Sequence, residues 1–112
     1  MASPPEPNAV IVLTTLAADV DACALARTLV AERLAACVNV LPAMMSVYRW
    51  QGRVEEEREQ QLLIKTAADR VAGLAARLRE LHPSEVPEFL VLSVSDGSDA
   101  YLRWLHDSVG PT

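Results

Sequence analysis

"CVNVLPAMMSVYRWQGRVEEEREQQLLIKT", residues 37–66, decides the fold. A strand opens at Cys37 and is interrupted at Pro42, which cannot donate a ladder hydrogen bond and so marks a bulge or a sheet edge. Strand character resumes in "MMSVYRW". Gln51-Gly52 then supplies a tight turn with the glycine such turns favour. The chain returns through "RVEEEREQ" into "QLLIKT". From Cys37 to Trp50 there are 14 residues, roughly 46 Å if extended at about 3.3 Å each. A compact chain of this length has a radius of gyration of about 13 Å and a diameter near roughly 35 Å. The hairpin must therefore bend near Pro42 or project. A projecting hairpin exposes strand edges and the apolar Val47, Tyr48, Trp50 and Val54, and unpaired edges invite partners. This predicts an obligate oligomer with hairpins paired across subunits.

Upstream, "AVIVLTT" (9–15) is a continuous apolar, largely β-branched run, the pattern of a central strand covered on both faces. From Asp21 the period changes. Ala22, Leu25, Ala26, Leu29, Val30 and Leu34 follow one helix face, with Asp19 or Asp21 as cap. Downstream, Thr66 with Asp69 resembles a capping box. The helix behind it places Val71, Leu74, Ala75 and Leu78 on one face and stops before Pro83. "PEFLVLSV" reads as the last strand. Ser98 or Asp99 caps a final helix with Leu102 and Leu105 on one side.

The order β-α-β-β-α-β with an added C-terminal helix predicts an α+β fold of the ferredoxin-like, split βαβ kind: one antiparallel sheet, two helices on one face and a long central hairpin. A single domain is expected over 9–109, with a disordered tail at 1–8 and a short tail at 110–112.

Bulk properties narrow the function. Of 112 residues 51% are hydrophobic, enough to build a core. Net charge is -5, and the sequence pI of about 4.9 disfavours nucleic acid, which selects clustered Lys and Arg. No run approaches a membrane span, and "MASPPEPN" lacks the basic and apolar regions of a signal peptide. Cys23 and Cys37 read as reduced thiols of a cytoplasmic protein. There is no Gly-rich phosphate loop, HExxH, CxxC or nucleophile elbow. Nothing in the spacing makes His82 or His106 a base for Ser84 or Cys37. A non-enzymatic role is expected.

"ERLAACVNVLP", "SVYRWQGRVEEE", "LLIKT", "LHPSEVPEFLVLSV" and "YLRWL" come in this order and spacing, and together they resemble the CutA divalent-cation tolerance family from about Ile11 to Leu105. The resemblance implies a ferredoxin-like subunit and a homotrimer built by hairpin strands pairing between chains. It also implies links to copper and other divalent cations, and a likeness to trimeric signalling proteins of the PII type. Several positions depart from the family pattern. Ser84 stands where Tyr is usual and Ser93 where Pro is usual. Thr14 and Leu81 stand where copper-associated members carry Cys and His.

His82 is the leading candidate ligand, since imidazole suits copper and zinc and the carboxylate of Glu88 is a natural companion. The alternative is structural: His at a helix C-terminus is favoured by the dipole, and His-Pro is a helix stop. One His with one or two carboxylates is an incomplete site, so only weak Cu(II) or Zn(II) binding is expected, completed by other subunits. "EEEREQ" (55–60) reads as a solvated hairpin face or as a loose divalent-cation site. Cys37 is a soft ligand or redox-sensitive thiol on one reading, and a thiol of the core or of the inter-subunit cleft on the favoured one. Tyr48, Trp50, Lys65 and Trp104 suit an inter-subunit cleft, with aromatic walls and one cation. The expected partners are the chain itself and divalent metal ions. The rival reading is a PII-like adaptor sensing a small anionic metabolite through Lys65 and the aromatics.

Overall fold

The hairpin projects. A computed structural model describes residues 8–111. Its radius of gyration is 15.4 Å and its extents are 58 × 25 × 23 Å. The radius and the longest extent exceed what a compact chain of this length would show. The expected tail at 1–8 lies, but for Asn8, outside the described residues.

The elements run β1 (Ala9–Ala17), α1 (Ala22–Ala31), β2 (Cys37–Val40), β3 (Met44–Trp50), β4 (Arg53–Ala67), α2 (Val71–Leu81), β5 (Leu90–Ser93) and α3 (Asp99–Val109), with one 3-10 turn, Ala68–Arg70, before α2. The sheet is antiparallel in the order β2-β4-β1-β5, and β3 continues β2 along the same partner, β4. This is the α+β, ferredoxin-like arrangement with an added helix.

Register explains the bend at Pro42. Val40 pairs with Leu62 and Met44 with Glu59, so Leu41, Pro42 and Ala43 lie opposite only Gln60 and Gln61. One extra residue against a continuous partner is a β-bulge, and it reverses which side chains face which side of the sheet. Val38 pairs with core-facing Ile64, whereas Met44, Ser46, Tyr48 and Trp50 share the opposite face with Glu59 and Glu57. At the tip, Gln51 and Gly52 have φ of 49° and 78°. Both central residues are left-handed, as a two-residue hairpin turn that follows strand twist requires.

The core lies between one sheet face and the helix pair α1/α2. Val10, Val12 and Leu16 of β1 and Leu62 and Ile64 of β4 meet Leu25 and Leu29 of α1 and Leu74 and Leu78 of α2. Each fully buried side chain of this size is worth about 1.5–3 kcal/mol. The other face is covered at one end only. There Leu105 and Val109 of α3 pack on Ala9, Ala36 and Ala67.

Three local expectations change. The first helix does not reach Leu34. It ends at Ala31, and Arg33 turns left-handed at φ 60°. The Leu34 N–H bonds to Leu29 O (3.0 Å) and Arg33 N–H to Val30 O (3.1 Å), so the chain leaves through a Schellman-type turn and Leu34 reaches the core from outside the helix. The Arg33 guanidinium donates to the carbonyls of Asp107, Ser108 and Gly110 at 3.4, 3.3 and 3.0 Å, and Arg70 Nε to Val109 O at 2.8 Å. Two arginines thus cap the C-terminus of α3.

Thr66 does not cap α2. β4 runs on through Ala67, and the Thr66 hydroxyl is buried without a partner, as is that of Thr14. The last strand is shorter than "PEFLVLSV", since only Leu90–Ser93 pairs with β1. Asp21 and Ser98 do cap their helices, accepting from the N–H groups of Ala24 (3.0 Å) and Tyr101 (3.2 Å).

Candidate functional site

The α3-side face of the sheet carries a groove where the hairpin leaves the body. β3 contributes Met44, Ser46, Tyr48 and Trp50; β4 contributes Glu57, Glu59 and Gln61; β1 contributes Thr15. The opposite wall is the loop from α2 to β5, with His82, Ser84, Glu85, Val86, Pro87 and Glu88. The volume is about 670 Å³, small-molecule size. Four carboxylates line it, and no Lys or Arg stands among the lining residues.

His82 caps α2, its backbone N–H donating to Leu78 O at 2.7 Å, and its extended ψ of 128° turns the chain away from the helix. The residue is 8% exposed. Nδ1 accepts from the Ser84 N–H at 3.1 Å, which places the ring proton on Nε2, facing the Thr15 carbonyl at 2.6 Å. Both ring nitrogens are therefore engaged. Glu88 Oε2 accepts from Gln61 Nε2 at 2.9 Å, and the same amide donates to the Thr14 carbonyl at 2.8 Å. On the hairpin wall, the Tyr48 hydroxyl donates to Glu57 Oε2 at 3.0 Å. That bond, with burial and the negative field of Glu57, Glu55 and Glu59, raises the phenol above its ordinary pKa of 10.0.

Within one chain, the residues expected to line an inter-subunit cleft lie in two groups. Tyr48 and Trp50 share the groove with His82 and Glu88. Cys37 and Lys65 are cross-strand partners nearer α3, where Lys65 Nζ lies 5.9 Å from the Tyr101 ring centroid. The Trp104 ring lies tilted against that same tyrosine, with the centroids 5.3 Å apart. Cys37 is half-buried with its thiol 3.9 Å from Asn39 Oδ1; Cys23 is exposed on α1, and neither forms a disulfide.

Glu57 and Glu59 belong to the acidic run singled out as a loose divalent-cation site, whereas Gln61, one residue beyond it, carries no such expectation. Period-two alternation along "EEEREQQ" carried the signal, because it sends residues 57, 59 and 61 to one face and 56 and 58 to the other. The acidic run is thus half groove wall and half outer face.

One chain does not assemble a metal donor set. Among the described residues no three His, Cys, Asp or Glu side chains come together around one point. The groove continues into open apolar sheet surface, with Leu90 and Leu92 53% and 49% exposed, and the hairpin exposes Met45, Val47 and Val54. Surface this apolar is the mark of an interaction face.

Fold and groove together define a small α+β sheet protein with an acidic groove beside a projecting hairpin. The chain belongs to the CutA1 divalent ion tolerance protein family, whose profile matches residues 10–108. It is 44% identical over 100 residues to the divalent-cation tolerance protein CutA of Thermus thermophilus, covering 89% of this chain and 97% of that one. It is 43% identical over 102 residues to the CutA protein of Yersinia pestis, covering 91% and 86%. A solved structure of divalent cation tolerance protein CutA1 from Thermus thermophilus superposes with a TM-score of 0.87 at 43% identity over 91% and 99% of the two chains. CutA1 from Oryza sativa superposes at 0.89 with 33% identity over 96% and 98%.

Proposed function

We propose that this protein is a non-enzymatic, cytoplasmic homotrimer serving divalent-cation tolerance, and that its groove becomes a cleft between subunits that holds copper or another divalent ion weakly. The observation that carries the reading is the groove's charge: Glu57, Glu59, Glu85 and Glu88 line it with no Lys or Arg among its lining. Such a wall attracts cations and repels anions. A small anionic metabolite, the ligand of a PII-like sensor, finds no positive partner there, and Lys65 is occupied with Tyr101 outside it. The incomplete donor set of one chain and the exposed apolar hairpin support completion by a second subunit.

Light scattering should return three times the 12.2 kDa chain mass at micromolar concentration. Calorimetric titration of the metal-free protein with Cu(II) and Zn(II) should give binding that weakens at least about tenfold in a Glu57→Gln, Glu59→Gln variant, a loss of about 1.4 kcal/mol. A monomer mass, or unchanged affinity in the variant, would refute the proposal.

A further inference from the structure

The groove's second wall is tied to β1 at both ends. At one end the His82 ring reaches from the cap of α2 to the Thr15 carbonyl and takes the Ser84 N–H on its other nitrogen. At the other end Glu88 is held by Gln61, whose amide also reaches the Thr14 carbonyl. β5 pairs with β1 only between Val10–Leu13 and Leu90–Ser93, so these two ties begin where strand pairing stops. Between the posts lie Pro83 and Pro87, whose rings fix two φ angles in a six-residue span, 83–88.

We infer that His82 and Glu88 are the two posts of a strap that presets the groove wall, and that His82 is a positioning residue and not a metal ligand. The chemistry of the ring is decisive. A neutral imidazole has one lone pair and one N–H. Here the lone pair receives Ser84 N–H and the N–H serves Thr15 O. A metal ion at Nδ1 would have to evict the Ser84 amide, leaving that donor without its acceptor. A metal ion at Nε2 would have to break the bond to β1 and move the proton to Nδ1, where it would face the same amide. Each route dismantles the wall that shapes the groove. An ion entering the groove therefore meets a wall already formed and leaves the imidazole in place.

This inference concerns the same groove as the proposed function, but its primary test needs no metal. Nitrogen-15 NMR of the metal-free full chain, well above the ordinary imidazole range, should show His82 as the Nε2–H tautomer and the Ser84 amide protected from hydrogen exchange. The Nδ1–H tautomer in the wild type, or a Ser84 amide exchanging as fast as an open loop, overturns the strap whatever the variants do.

The two ends separate in variants. In His82→Asn the side-chain oxygen remains two residues from the Ser84 N–H and should keep that amide protected. In His82→Gln the acceptor is displaced toward β1, and Ser84 protection should fall at least about tenfold. Equal protection in both overturns the assignment of Nδ1. Zn(II) is then titrated into the wild type. The His82 ring nitrogens and the Ser84 amide should keep their resonances through saturation. A ligation shift at His82 overturns the inference, while no zinc binding anywhere counts against the proposed function and leaves the metal-free result to decide the strap.

Discussion

Thr14 and Thr66 each bury a hydroxyl that has no hydrogen-bond partner, and both side chains are fully inaccessible on the helix-facing side of the sheet. Replacing either by Val keeps the β-branched shape and removes the polar atom. An unsatisfied buried polar group costs about 1–3 kcal/mol, and a hydroxyl, smaller than an amide, belongs near the lower end. Each Thr→Val variant should therefore be more stable by about 1 kcal/mol. Thr66 pairs with Val10 and Thr14 with Leu62. The two hydroxyls are thus four strand positions apart, about 14 Å. At that separation effects add to within about 0.5 kcal/mol, so the double variant should gain about 2 kcal/mol. Guanidinium unfolding followed by circular dichroism measures this, at one fixed protein concentration because association in the proposed trimer would contribute to apparent stability. A loss of more than about 0.5 kcal/mol in either single variant would show that its hydroxyl is bonded, and the reasoning would fail.

Three further outcomes test other parts of the structure. In a Tyr101→Phe variant, where Tyr48 is the sole tyrosine, ultraviolet titration should show the phenol ionising above its ordinary range because its proton is held by Glu57; adding Glu57→Gln should bring that step back toward the ordinary range. The raised phenol favours the fold below the ordinary pKa of 10.0, and that contribution disappears as pH rises through the folded-state value. Arg33→Ala should cost about 1–2 kcal/mol in unfolding free energy and speed amide exchange at the end of α3; Arg33→Gly should recover roughly 0.5–1 kcal/mol of it, because glycine accepts the left-handed backbone freely. Gly52→Ala should destabilise by about 1 kcal/mol in the same unfolding assay although a methyl there would touch nothing, since its φ of 78° is the whole cost.

The sequence disclosed the fold where a periodic pattern met a geometric limit. The hairpin's contour length could not fit inside a compact chain, and Pro42 could not sit in an unbroken ladder; those two facts leave bend or projection and bulge or edge, and the structure has the projection and the bulge. Element ends were harder to see. Leu34 keeps the spacing of the first helix but reaches the core by a left-handed residue that is not glycine, and so carries no signal. Thr66 and Asp69 have capping-box spacing, yet strand pairing with Val10 wins over the local cap. In the groove, His82 and Glu88 were legible as residues and not as roles. Their hydrogen-bond partners, Thr15, Ser84 and Gln61, come from three different segments, and no spacing along the chain reports such a convergence. The acidic run is nearly uniform in charge, and only its period-two parity divides it between groove and outer face.

The extra residue at the Pro42 bulge has a consequence for how this chain tolerates change. Deleting Ala43 would not merely shorten a connection. It would throw the following strand out of phase with β4, so that Met45, Val47 and Arg49 turned into the groove while Tyr48 and Trp50 turned out of it. A one-codon deletion there would equal rewriting every position from Met44 to Trp50 at once, with each of those residues still present.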